Sequence, residues 1–274
     1  MFYLKRGLID SWQSIKRHKS IFMGLIILQI LFLISIAYIG VNYQMKIINN
    51  VQTITTSLEN ANYDPDLIEK GKPFIEDMFL VQSSYLSLKN NLMKFLIWLT
   101  ALYLVFQGAF WLITHHITRK LNWIKIGMGY LKYIIISTLL MGSFLFGAYF
   151  VLKNLIIESA DIDFVSSIAK NLAYASMVIY YFLAVAYSLL NKQSLKQFFK
   201  GWFACSIKKI HKTLPVMIIN FALVTGTLYL IYLLLLPERF IWMILSILLL
   251  SIIIVTCRLF LVSTIQVINS EKEK

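Results

Sequence analysis

The side chains able to do chemistry in this chain are few, and they stand apart. The four histidines are His18, His115, His116 and His211, and the two cysteines are Cys205 and Cys257. Adjacent histidines on a helix point about 100° apart, so His115 and His116 lack the i, i+4 spacing that holds a metal on one face. A shared metal or pH-sensing cluster is one reading of the four histidines; boundary-marking polar residues is the expected one. Signatures of hydrolases, nucleotide-binding loops and zinc peptidases are absent. Asp10 stands nearly alone among the basic segments, whereas metal-dependent phosphoryl chemistry needs clustered carboxylates. We therefore expect no catalytic residue, no metal and no cofactor.

Three amides inside long apolar runs remain: Gln29, Gln107 and Asn220. An amide in apolar surroundings needs hydrogen-bond partners. The expectation is that these three bond between helices, each bond contributing about 0.6–2 kcal/mol. The rival reading is a polar lining for a permeation path.

The elements that must position these amides follow from composition. Of 274 residues, 59% are hydrophobic and 14% are charged. A soluble domain carries nearer a quarter charged residues, so this is a membrane composition. A bilayer core needs about 20 apolar residues in a helix, because unpaired backbone groups are costly in lipid. Six long gaps between charges meet that need, giving expected spans at about 21–41, 94–116, 132–153, 170–190, 214–236 and 240–262. The fold class expected is all-α: one polytopic membrane domain over 1–274, with six transmembrane helices. No acidic residue falls inside these spans, which disfavours a proton-coupled pump.

Orientation follows from lysine and arginine bias. With the N-terminus in the cytoplasm, most of the 26 basic residues fall on the inner side and most of the 13 acidic residues on the outer side. The formal charge of +13 is thus spread along an inner face, with no compact basic domain for nucleic acid. Both termini are expected to be cytoplasmic, at the cell membrane. The apolar run after residue 20 is too long for the core of a cleavable signal peptide.

Each outward span is fed by a basic segment bearing tryptophan. The first, 3–18, places Leu4, Leu8, Trp12 and Ile15 on one helical face. A close echo at 193–213 carries Trp202, Lys208, Lys209 and Lys212; a looser copy carries Arg119, Lys120, Trp123, Lys125 and Lys132. Three cytoplasmic amphipathic helices lying on the interface are expected. Their lipid anchors would be Trp12, Lys16, Arg17, Lys19, Trp123, Trp202, Lys208, Lys209 and Lys212, with anionic inner-leaflet lipid as partner. Thr213 and Pro215 read as cap and early-turn proline of the fifth span.

The segment of about 42–93 is expected to be a small helical extracytoplasmic hairpin. A stripe of Ile47, Val51, Ile54 and Leu58 continues the first helix past Lys46, and Asp64-Pro65 and Pro73 break it. Its acids, Asp64, Asp66, Glu69, Glu76 and Asp77, read as a solvated face, with a cation or partner site as the sharper alternative.

The order of parts, an inner amphipathic helix and six spans with both ends inside, resembles the membrane subunits of some ABC exporters. Those subunits carry their larger outer element between the last two spans; here it lies between the first two. The function expected is a non-enzymatic, permease-like transport subunit energised by a partner. The alternative is a membrane scaffold or assembly factor binding a protein partner, or a second copy, through its basic inner face or acidic outer loop.

Overall fold

A computed structural model describes residues 2–59, 78–119, 123–158, 162–191, 194–235 and 240–270. Among them the backbone is helical apart from short turns, with no strand. The helices are α1 (Phe2–Arg17), α2 (Lys19–Glu59), α3 (Met78–Leu102), α4 (Gly108–Arg119), α5 (Trp123–Glu158), α6 (Ile162–Tyr187), α7 (Leu195–Phe203), α8 (Ile210–Leu235) and α9 (Phe240–Ser270). Two π turns interrupt this series, Tyr103–Gln107 before α4 and Ala204–Lys208 after α7.

Among the described residues, five segments are long and apolar enough to cross a membrane: Lys19–Ser57, Met78–Thr118, Ile126–Val151, Ile210–Leu234 and Ile244–Ser270. These fit an integral, multi-pass membrane protein. The sixth expected span, 170–190, lies mostly on α6, which falls outside this set. Lys170, Asn171 and several tyrosines dilute its apolar run, and the helix stops at Tyr187, leaving Leu189 and Leu190 in a turn.

Helix α2 has 41 residues, about 61 Å at 1.5 Å per residue and roughly twice the hydrocarbon thickness of a bilayer. It continues past Lys46 to Glu59, along the stripe seen in the sequence. The expected breaks at Asp64-Pro65 and Pro73, and the acids between them, lie outside the described residues.

The chain forms two compact units, Met1–Ile30 with Phe106–Lys274, and Leu31–Val105. Within the second, α2 and α3 meet through an Asn50 Nδ2 to Ser87 Oγ hydrogen bond of 3.3 Å and a Tyr43–Phe95 ring contact at 5.8 Å.

The first unit is organised around the C-terminal half of α9. From Cys257 to Ile268 every residue is buried, polar ones included. A helix that is apolar all round needs neighbours all round, and α1, α4, α8 and the second π turn supply them. Small residues let the backbones approach. A β-carbon at Gly7 would overlap Thr264, so α1 and α9 touch there almost backbone to backbone. Gly7 and Ser11, one turn apart, are the buried residues of α1. Between α4 and α5 the same service comes from Gly108, where a β-carbon would run into Tyr130, and Gly129, where it would lie 2.6 Å from Leu112 Cδ2.

Helix α7 begins at Ser194, whose hydroxyl accepts from the Gln197 amide at 3.2 Å, an ordinary N-cap. The start of α8 differs from expectation. The helix opens at Ile210, so Pro215 sits inside it and Thr213 is not its cap. Thr213 instead turns its hydroxyl back toward the second π turn.

Candidate functional site

A buried polar and aromatic cluster sits where α2, α4, α5, α6 and α9 converge in the first unit. Its charged member is Arg258, only 7% exposed. Helix α9 runs twelve residues beyond it to Ser270, so the charge lies well inside the helix rather than at its end. Arg258 Nη2 donates to Gln29 Oε1 at 3.3 Å. Its guanidinium carbon stands 4.6 Å from the centre of the Phe110 ring and 5.6 Å from that of Trp111. A planar guanidinium on aromatic faces is the geometry in which a cation tolerates an apolar setting.

From Trp111 the cluster continues to Tyr187, ring to ring at 5.4 Å, and from Tyr187 to Tyr133 at 4.9 Å. The Tyr187 hydroxyl and Ser137 Oγ are 2.7 Å apart. His115 is fully buried and uses both ring nitrogens. Its Nε2 stands 2.7 Å from the Tyr187 carbonyl, and its Nδ1 3.3 Å from Gln266 Nε2. A carbonyl only accepts, so Nε2 is the donor to Tyr187, while Nδ1 faces the side-chain amide of Gln266.

A second knot fastens the π turn after α7. A π turn shifts the helical ladder by one residue and leaves carbonyls to be claimed from outside. Tyr181 Oη donates to the Ser206 carbonyl at 3.0 Å, Thr213 Oγ1 reaches the Cys205 carbonyl at 3.1 Å, and the two hydroxyls meet at 2.6 Å. Nearby, Trp202 Nε1 donates to the Phe182 carbonyl at 3.0 Å, and Lys209 Nζ to the Ile268 carbonyl at 2.8 Å.

The predicted residues therefore divide. Gln29 is buried and joined to α9. Asn220 is 9% exposed, and neither its Oδ1 nor its Nδ2 has a hydrogen-bond partner among the described residues. Gln107 is half-buried in the first π turn. The structure does not gather these three amides around one point of contact.

Of the expected anchors, Trp12 is 58% exposed, with Lys16 Nζ 5.3 Å from its ring centre. Arg17, Lys19 and Lys208 are exposed, and Lys212 is half-buried. Trp202 and Lys209 are tied to protein carbonyls as above. The side chains of Trp123 and Lys125 lie outside the described residues. Lys132, expected near the interface, is buried at 2% exposure.

Arg258 and Gln266 are members that sequence reading did not single out, and His115, read there as a boundary-marking residue, is instead fully buried. One signal for Arg258 was present: it is the single charge in the run from Phe240 to Ser270. Placing the span's end near Val262 made it look like a boundary residue. Among the described residues no group of three or more His, Cys, Asp and Glu side chains is placed to hold a metal ion.

Beside the cluster, α1, α4 and α9 enclose a polar cleft of about 250 Å³ lined by Arg6, Asp10, Arg17, Thr118, Gln266 and other polar side chains. Gln266 belongs to both, so the cleft and Arg258 are joined through His115, Tyr187 and Trp111. Comparison with protein-family models, with curated proteins and with solved structures gives no match to this chain.

Proposed function

We propose that this chain is the non-enzymatic, membrane-embedded subunit of a transport system energised by a partner protein. Six helices cross the cell membrane in this reading, α6 among them, with both termini cytoplasmic. The observation that carries it is Arg258. A permanent charge deep in an apolar helix is expensive to keep in a bilayer, and such residues most often mark a solute or ion pathway. Arginine does not release its proton, so its role here is electrostatic rather than that of a proton relay. The chain of contacts from Arg258 to Gln266 adds support, because it links the buried charge with a polar cleft between α1, α4 and α9.

Energy must come from elsewhere, since the sequence holds no nucleotide-binding loop. The exposed basic side chains Arg17, Lys19 and Lys208 offer a surface for an inner partner and for anionic lipid headgroups.

The test is recovery of the tagged chain from native membranes in mild detergent. A stoichiometric ATP-hydrolysing partner, whose activity in proteoliposomes drops with Arg258→Gln, is the expected result. A stable complex that contains no nucleotide-binding protein would overturn this reading and leave the scaffold or assembly role.

A further inference from the structure

Helix α3 presents two unlike faces. Val81, Ser84, Leu88, Asn91 and Phe95 recur at three- and four-residue steps and are buried or half-buried. This is the face that meets α2, through the Tyr43–Phe95 ring contact. The opposite face carries Phe79, Leu86 and Met93, seven residues apart and 84%, 56% and 54% exposed. Met78, Tyr85 and Leu92, one position before each, are exposed as well. With Gln82 and Lys89 between them, the stripe keeps the alternating three- and four-residue steps of a helix–helix seam.

Most of this stripe stands outside the bilayer. Helix α2 and the run Met78–Thr118 hold 41 residues each, about twice what the hydrocarbon layer takes. The Asn50–Ser87 and Tyr43–Phe95 contacts set α2 and α3 antiparallel, with Lys46 level with Leu92. A polar band forms there from Lys46, Asn49 and Asn50 on one helix and Lys89, Asn90 and Lys94 on the other. No acidic or basic residue lies between Lys19 and Lys46 or between Lys94 and Arg119, so the band marks the edge of the apolar layer. Phe79, Tyr85 and Leu86 lie beyond it, on the water side.

A contiguous apolar stripe facing water marks an interaction surface. By typical side-chain areas its six apolar residues expose roughly 700 Å², close to the ~800 Å² that each partner gives a standard interface. Every copy of this chain is anchored in the same membrane, so a second copy presents its own stripe at the matching height. A two-fold axis along the membrane normal then brings like to like. We propose that the α3 stripe is a self-association surface. Two copies pair there, α3 against α3 in parallel, and their α2–α3 hairpins complete a four-helix bundle outside the bilayer. Lys89 falls within the seam, and a lysine at a single such position gives up some stability while fixing register and oligomer state.

The proposal rests on the membrane placement and not on transport, so a chain that pairs this way but joins no ATPase loses only the transport reading. The test is disulfide trapping in native membranes, with Cys205 and Cys257 replaced by serine and one new cysteine at a time. Phe79→Cys, Leu86→Cys and Met93→Cys are expected to give a species of twice the chain mass. Val81→Cys and Leu88→Cys, on the face toward α2, are expected to give at least about tenfold less. In mild detergent, Leu86→Lys weakens self-association of the full chain by about tenfold or more. Stepwise photobleaching of the otherwise unaltered, tagged chain is expected to count two copies, whether or not any variant folds.

A count of one copy overturns the proposal. Equal trapping at all five positions reports random collision and overturns the seam. So do two copies with no trapping at 79, 86 or 93, and so does undiminished association of Leu86→Lys. Adducts with a different protein at 79 and 86 give the surface to that protein and reject the second copy.

Discussion

Gln29 and Arg258, 229 residues apart in sequence, face each other across the first unit with amide oxygen and guanidinium 3.3 Å apart. The contact joins α2 to the long final helix within the buried polar and aromatic cluster. Truncating the arginine leaves a buried amide with a lost donor and a gap between Phe110 and Trp111, and truncating the amide removes an acceptor from a buried charge.

A double-mutant cycle on this pair should therefore show coupling. Gln29→Leu and Arg258→Leu are each expected to destabilise the protein by about 1–3 kcal/mol, as loss of one partner of a buried hydrogen bond does. The coupling term is expected near 0.6–2 kcal/mol, the range found for hydrogen bonds between membrane helices. Thermal unfolding in detergent measures all four corners, and strictly additive losses would mean the contact carries no energy. Arg258→Lys should behave as a partial loss, since an ammonium cannot lie flat on two rings.

Gly7 and Gly24 make a matched comparison. A β-carbon at Gly7 meets Thr264, while at Gly24 it meets nothing within 4 Å. Gly7→Ala should cost about 1–3 kcal/mol through overpacking. Gly24→Ala should be neutral or stabilising by up to about 1 kcal/mol, because alanine is the better helix former. Melting temperatures that fall equally for both would remove the α1–α9 seam as the cause.

The knot at the second π turn predicts a change in thiol chemistry. Cys205 is fully buried, with its Sγ 3.8 Å from Asn269 Oδ1 and its carbonyl held by Thr213. Tyr181→Phe removes the hydroxyl that ties Ser206 and Thr213 together. It should cost about 1–2 kcal/mol, and maleimide should modify Cys205 faster. An unchanged labelling rate, measured with Cys257 replaced by serine, would show that the π turn holds without this tie.

Parity offers the sharpest test of the architecture. If α6 crosses the membrane, the chain has six spans and both ends share one side. If α6 does not cross, five spans put the ends on opposite sides. Reporter fusions before Phe2 and after Ser270, each active in only one compartment, decide between these. Agreement between the two ends supports six, and opposite signals would reject six.

How much of this was legible in the sequence varies by element. The long helices were, because a charge-free run above twenty residues has few other fates. The extension of α2 to Glu59 was legible too, since Ile47, Val51 and Ile54 kept the helical spacing beyond Lys46. The span at 170–190 was read from its charge gap alone. Charge gaps ignore the weak polarity of Asn171 and the tyrosines, and they cannot see that the helix ends at Tyr187. Gln29 was singled out because a buried amide needs a partner, and its oxygen accepts from Arg258 Nη2. The partner was not readable, because nothing local in either segment encodes a contact across 229 positions. Trp202 and Lys209 show a different limit. Their types suit a lipid surface, yet their hydrogen atoms go to the Phe182 and Ile268 carbonyls, and composition cannot distinguish a headgroup oxygen from a backbone one.

The seam between Gly7 and Thr264 bears on how the molecule is made. A ribosome releases the first of these residues long before the second, and a bilayer receives the intervening helices one after another. Until α9 arrives, α1 lacks the surface that buries Gly7 and Ser11. The native unit can therefore close only late in synthesis, and interrupted chains are left with an open groove that a membrane quality-control protease can recognise.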